Sequence, residues 1–86
     1  GRAPEISSPP AGVTLVLRPG TPTVELAAVT DAGARSLHWF AGTSYLGQVD
    51  AGRTLDWEPG PGRHLLRAVD DAGRAASREV TVEAAP

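Results

Sequence analysis

The chain has 86 residues and a net charge of −2, from eight arginines against ten acidic residues, with no lysine and no cysteine. Its length predicts one domain, its charge is unlike the basic surface of a nucleic-acid-binding protein, and no apolar run approaches the ~18 residues of a membrane-spanning helix. Without cysteine there is no disulfide, and cysteine usage gives no indication of the redox compartment. The Pro-rich start lacks an apolar signal segment, so we expect a piece cut from a longer protein.

Short alternating segments separated by turn residues follow one another along the chain. Pro-Gly pairs and three Asp-Ala-Gly triplets, at 31–33, 50–52 and 71–73, provide the turn signals. The pattern predicts an all-β, immunoglobulin-like or fibronectin-III-like antiparallel β-sandwich of about seven strands. One domain is expected at 5–83, with a flexible lead-in at 1–4 and a tail at 84–86. The candidate strands cover 5–8, 13–18, 24–28, 37–41, 44–49, 53–57, 63–70 and 74–83.

The two-residue period of the strand at 63–70 determines which side chains face the core. One face would bury Arg63 and Arg67 without partners, so the other face must point inward. That inward set is His64, Leu66, Ala68 and Asp70. A buried carboxylate needs hydrogen bonds, so Asp70 is expected to accept backbone N–H groups of the following turn or to pair with Arg74.

Both tryptophans are expected in the core. Trp39 and Trp57 are in phase with Leu37 and Leu55, two residues before each of them. Arg78 shares the phase of buried positions in the last strand, which predicts a bulge or a position near the rim there.

His64 stands where sandwiches of this kind often have a corner tyrosine. We expect either a bond from a ring nitrogen of His64 to the backbone or a different corner.

The chain lacks residues that the known catalytic arrangements require. The Ser/Lys route needs a lysine, and the segment 42–47 has one residue too many for a nucleophile elbow. His38 and His64 point to opposite faces, whereas a metal needs three or four converging ligands. Asp56 and Glu58 lie two residues apart on one strand, where they cannot face each other across a cleft. We therefore predict no catalytic residue, no metal site and no cofactor.

Phe40 points away from the predicted core, and Tyr45 follows it across a short turn, with His38 on the same face. Exposed aromatic side chains stack on sugar rings or anchor partner proteins. These three residues are a candidate recognition patch. The alternative is that they pack under a loop or against a neighbouring domain.

Several spaced motifs together resemble a known family. They are Leu37-x-Trp39, Trp57-x-Pro59, Gly62-x-His64-x-Leu66, Asp70-x-x-Gly73-x-x-Ala76 and Val80-x-Val82. From about Glu5 to Glu83 the chain resembles the C-terminal domain of bifunctional (class A) penicillin-binding proteins of the 1C type.

The resemblance implies a periplasmic module that follows a glycosyltransferase domain and a transpeptidase domain, in a parent chain anchored in the inner membrane. It carries over no catalytic residue. The resemblance does not settle what the module binds. We expect the catalytic domains of the parent chain or a periplasmic partner protein as binding partners, with peptidoglycan as a further candidate. The fold-defining positions that the resemblance carries over are Trp39, Trp57, Gly62, Leu66, Asp70 and Gly73.

Three hypotheses about function remain open at this point. The first is a non-catalytic accessory module of a peptidoglycan synthase that acts through domain or partner contact. The second is a carbohydrate-binding module that holds glycan strands on Phe40, Tyr45 and nearby arginines. The third is a passive spacer or adhesin-like repeat.

Overall fold

The computed structural model describes residues 1–86 and contains two β-sheets and no helix. The predicted β-sandwich is confirmed, with eight strands where about seven were expected. The strands are β1 (Glu5–Ser8), β2 (Thr14–Leu17), β3 (Val24–Val29), β4 (Ser36–Ala41), β5 (Ser44–Asp50), β6 (Leu55–Trp57), β7 (Gly62–Asp70) and β8 (Ala75–Ala84).

The strands form a smaller sheet in the order β1-β3-β6 and a larger sheet in the order β2-β8-β7-β4-β5. The first two strands belong to different sheets: β1 pairs antiparallel with β3, and β2 pairs parallel with β8. Pro9 and Pro10 lie between them. Because proline has no N–H donor, it interrupts the ladder of the smaller sheet, and the chain crosses to the other layer.

The core fills the space between the inner faces of the two sheets. Trp39 is 0% exposed and Trp57 is 6% exposed, so the strand phase predicted both positions correctly. The indole Nε1 of Trp39 is buried without a hydrogen-bond partner. The ten buried residues of the core cluster are Ile6, Val24, Leu26, Ala28, Leu37, Trp39, Trp57, Leu66, Ala68 and Val80.

The strand β8 has no bulge at Arg78, so the predicted bulge is wrong. The β7–β8 register runs unbroken from Gly62 opposite Val82 to Val69 opposite Ala75. The half-buried Arg78 side chain instead reaches the chain after β1, where Nη1 donates to the carbonyl oxygen of Pro9 at 2.8 Å. An inward-pointing arginine is tolerated here because its long stem packs while its guanidinium finds a backbone acceptor.

The corner before β7 is closed by His64. Its Nε2 donates to the carbonyl oxygen of Gly60 at 2.7 Å, which confirms the expected bond from a ring nitrogen to the backbone. The imidazole also meets Trp57 edge-on, with ring centroids 5.0 Å apart. His64 therefore ties the corner loop to a core aromatic, as a corner tyrosine would.

We predict that Trp39→Ala lowers the free energy of unfolding by about 3–5 kcal/mol, because truncating a buried aromatic leaves a cavity. The total expected for a chain of this length is only roughly 4–13 kcal/mol. Trp39→Phe is the matched control, since it keeps most of the packing and removes the unpartnered N–H. Urea unfolding followed by circular dichroism measures both variants. Equal losses for Ala and Phe would contradict the packing explanation.

We predict that His64→Phe costs about 0.5–1.5 kcal/mol, the usual net value of one intramolecular hydrogen bond. Phenylalanine keeps the edge-on contact with Trp57 but offers Gly60 no donor. Thermal unfolding measures the loss. A melting temperature equal to that of the unmodified protein would mean that the bond to Gly60 does not stabilise the corner.

Candidate functional site

The β4–β5 hairpin places two aromatic residues opposite each other on the outer face of the larger sheet. Ala41 pairs with Ser44, so Gly42 and Thr43 alone form the turn. Gly42 has a φ of +57°, as the first central residue of a type II′ hairpin turn requires. The N–H of Gly42 donates to the carbonyl oxygen of Leu65 at 2.8 Å, which holds the turn against β7.

A β-bulge in β5 determines which of its side chains face outward. Trp39 pairs with Gly47 and Phe40 pairs with Tyr45, so Leu46 is an extra residue in β5. The extra residue shifts the alternation by one position. Leu46 and Val49 therefore both pack against the core, while Tyr45 stays on the outer face.

The structure brings the three predicted patch residues into contact. Nδ1 of His38 and Oη of Tyr45 share a hydrogen bond of 2.9 Å. The rings of Phe40 and Tyr45 lie 5.3 Å apart with an angle of 57° between their planes. Tyr45 is 55% exposed, while Phe40 and His38 are half-buried beside it. These contacts describe a connected surface on β4 and β5.

Two residues of β7, neither of them among the three predicted patch residues, extend this surface. Arg67 pairs with Phe40 across the sheet and places its guanidinium carbon 5.0 Å from the centre of the Phe40 ring. Leu65 lies two residues before Arg67 on the same face and is 52% exposed. We call His38, Phe40, Tyr45, Leu65 and Arg67 the outer patch.

The strand period already placed both β7 residues on the outer face. The β4–β7 register, which sequence does not show, brings Arg67 to Phe40.

The outer patch carries a positive charge that no carboxylate neutralises. None of the ion pairs in the structure includes Arg67. On the same strand, Arg63 approaches Glu79 at 3.9 Å, but both side chains are largely exposed, so this pair contributes little. The guanidinium of Arg67 is held instead by the face of Phe40, an attraction typical of cation–π contacts.

Asp70 lies at the end of β7 on the inner face and is only 2% exposed. Its Oδ1 accepts the N–H groups of Ala72 and Arg74, at 3.0 and 2.9 Å, and its Oδ2 accepts Nε of Arg74 at 2.8 Å. Both expected partners of Asp70, the turn backbone and Arg74, are therefore confirmed. Gly73 closes the turn with a φ of +83°, a left-handed conformation that favours glycine.

The pKa of Asp70 is lowered. Burial by itself would raise that pKa, but the hydrogen bonds from Arg74 and Ala72 and the charge of Arg74 outweigh burial. The pKa of Asp71 is lowered as well, mainly because its carboxylate accepts the N–H of Arg35 at 2.9 Å. Two ionised carboxylates thus hold the β7–β8 turn and the β3–β4 connection together.

The other positions considered for chemistry lie apart. His38 bonds Tyr45 on the outer face, and His64 bonds the corner backbone. No group of three or more potential metal ligands occurs in the chain.

Among the remaining fold-defining positions, Leu66 is fully buried and Gly62 begins β7. The structure contains no helix that is long and apolar enough to cross a membrane.

A family model described as the Penicillin-Binding Protein C-terminus Family matches residues 1–82. The chain belongs to this family. Membership in a penicillin-binding protein family indicates an extracytoplasmic location at the cell wall. No curated protein matches the sequence.

A solved structure supports the fold of this penicillin-binding protein C-terminal domain. The fibronectin(III)-like modules of Clostridium thermocellum CbhA include a chain that is 18% identical, with a TM-score of 0.72. The match covers 92% of this chain and 93% of the CbhA chain. At this identity the likeness concerns the fold alone.

We predict that Asp70→Leu destabilises the domain far more than Asp70→Asn, because Asn keeps an acceptor oxygen for the N–H groups of Ala72 and Arg74. Leu leaves those donors without a partner. Asp56→Asn, an exposed carboxylate on β6, is the control and should change stability little. Urea unfolding at pH 7 compares the three variants. Equal losses for Leu and Asn would show that only the charge matters.

The lowered pKa of Asp70 also predicts a pH dependence. A carboxylate whose folded pKa lies below the ordinary value of 3.8 adds stability above that pH. This contribution is lost as the pH falls below that ordinary value and through the lower folded pKa. The free energy of unfolding should therefore drop less on acidification in Asp70→Asn than in the unmodified protein. Identical acid profiles would contradict the assignment.

Proposed function

We propose that this chain is a non-catalytic accessory module of a peptidoglycan synthase of the 1C type, and that it acts in the periplasm by contact through the outer patch. Family membership supports the synthase context. The contact partner in this proposal is a catalytic domain of the parent chain or a periplasmic partner protein.

The observation that carries the proposal is the composition of the outer patch. Tyr45 and Leu65 are each more than half exposed, and Phe40 and Arg67 lie beside them. Aromatic residues and arginine are enriched at protein interfaces and supply most binding hot spots. A rigid sheet holds these side chains, so little conformational entropy is lost on binding.

The affinity of such a small patch should be modest. We expect a Kd of roughly 10 μM to 1 mM, or about −7 to −4 kcal/mol. A module tethered to its synthase meets the catalytic domains at high effective concentration, so weak contact suffices.

Glycan binding is the second candidate, because the exposed ring of Tyr45 could stack on a sugar. Two observations favour protein contact over it. The guanidinium of Arg67 covers one face of Phe40, and the rings of Phe40 and Tyr45 are inclined by 57°. The patch therefore offers no common plane for neighbouring sugar rings.

We predict that Phe40→Ser combined with Tyr45→Ser in the full-length synthase weakens binding to the partner domain or protein by about tenfold, as expected when hot-spot side chains are truncated. Val16→Ser is the matched control, since Val16 is 51% exposed on β2 at the opposite edge of the same sheet. Titrations use the isolated catalytic domains, the candidate periplasmic partners and peptidoglycan fragments. Thermal unfolding confirms that each variant is folded.

The outcomes separate the three hypotheses. Loss of protein binding alone supports the proposal. Loss of peptidoglycan binding alone would replace it with a carbohydrate-binding module. If the folded double variant binds every partner as the Val16→Ser control does, the outer patch has no recognition role and the spacer hypothesis takes its place.

A further inference from the structure

Three arginines lie within strands, and among them only Arg67 has no oxygen partner. Nη1 of Arg63 lies 3.9 Å from Oε1 of Glu79, and Nη1 of Arg78 donates to the carbonyl oxygen of Pro9. The guanidinium of Arg67 takes part in no hydrogen bond and no ion pair. No carboxylate of this chain therefore balances the charge of Arg67.

The side chains that face Arg67 across the sheet are uncharged. Phe40 lies opposite it on β4, and Ser77 lies opposite it on β8. Glu79 is a diagonal neighbour, opposite Leu65, but its carboxylate approaches the other arginine of β7. The ring of Phe40, centred 5.0 Å from the guanidinium carbon, attracts the charge but offers no oxygen to accept the N–H groups. Arg67 is thus held in place while its donors stay available to a partner.

Covering the outer patch with another protein removes water from Arg67. A charge that loses water without gaining a hydrogen-bonding partner opposes association. A protein that covers Tyr45 and Leu65, each more than half exposed, must therefore also bring an acceptor to the guanidinium. A carboxylate supplies both the opposite charge and the two oxygens that fit the fork of N–H donors.

We propose that the outer patch binds an acidic protein surface. In the complex an Asp or Glu carboxylate of the partner contacts the guanidinium of Arg67, and apolar side chains of the partner cover Tyr45 and Leu65. This inference rests on the proposed contact function and adds the chemistry of the partner. A protein carboxylate is favoured over one of peptidoglycan because the exposed Leu65 needs an apolar side chain to cover it.

The absence of lysine from this chain gives a direct test. Arg67→Lys keeps a positive charge on the outer patch and introduces the only side-chain amine of the chain. A carbodiimide joins an amine to a carboxylate in direct contact with it, forming an amide with loss of water. The reagent is applied to the full-length synthase with this substitution, alone and with each candidate periplasmic partner. We expect mass spectrometry to find a cross-link from position 67 to an Asp or Glu of a catalytic domain or partner protein.

Arg63→Lys is the matched control. Arg63 lies on the same strand and the same face as Arg67, and its exposed side chain approaches Glu79. We expect the amine at position 63 to join Glu79 of its own chain, which shows that the reagent works, and to join no other protein.

Arg67→Gln provides a second measurement. It should weaken binding to each protein that binds the unmodified chain by about tenfold, whereas Arg63→Gln should change binding by less than about twofold. Raising NaCl from about 50 to about 500 mM should weaken binding of the unmodified chain by roughly threefold, because salt screens the ion pair. The affinity of Arg67→Gln should stay nearly constant. Both arginines are exposed, so neither substitution should change the fold.

The proposal would be overturned if position 67 formed no cross-link or one only to Glu79, or if Arg67→Gln and Arg63→Gln weakened binding equally. A cross-link to peptidoglycan alone would also overturn it and would assign the patch to cell-wall recognition. Binding that is lost in Phe40→Ser with Tyr45→Ser but unchanged in Arg67→Gln would leave the contact function intact and exclude the acidic partner. Binding unchanged in both would contradict both proposals.

Discussion

A buried carboxylate is the constraint on which most of this structure depends. Asp70 ends the central strand β7 and points into the sandwich with almost no exposure. A charge in that position is tolerable only with several donors, and Ala72 and Arg74 supply them. The hydrogen bonds that the Asp70 carboxylate needs therefore determine the conformation of the β7–β8 turn. They also direct the Arg74 side chain towards Asp31 and the smaller sheet.

The inward position of Asp70 also determines which side chains of β7 lie on the outer face of the larger sheet. Side chains alternate along a strand, so if Asp70, Ala68 and Leu66 face inward, Arg67 and Leu65 must face solvent. The same holds for β4, where buried Trp39 places His38 and Phe40 outside. The register then sets Arg67 beside Phe40. The alternation that places one set of side chains of β4 and β7 in the core therefore also places the outer-patch side chains of these strands on the surface.

Much of this could be predicted from sequence, because strand phase and turn chemistry are local. The burial of Trp39, the acceptor role of Asp70 and the turn at 71–73 each followed from the spacing of a few residues. The contact of Arg67 with Phe40 could not, since it depends on the register of two strands separated by β5 and β6. The bulge at Leu46 and the reach of Arg78 to Pro9 depend on packing between layers, which alternation alone does not encode.

The most direct test of the contact function is side-chain NMR on the domain within its parent protein. The ring signals of Phe40 and Tyr45 and the methyl signals of Leu65 would be followed as a candidate partner protein is added, with the fully buried Leu26 as internal reference. We expect the signals of Phe40, Tyr45 and Leu65 to shift together while those of Leu26 do not. Shifts confined to other exposed hydrophobic residues, such as Val16, would contradict it, as would an unchanged outer patch in a complex shown to form.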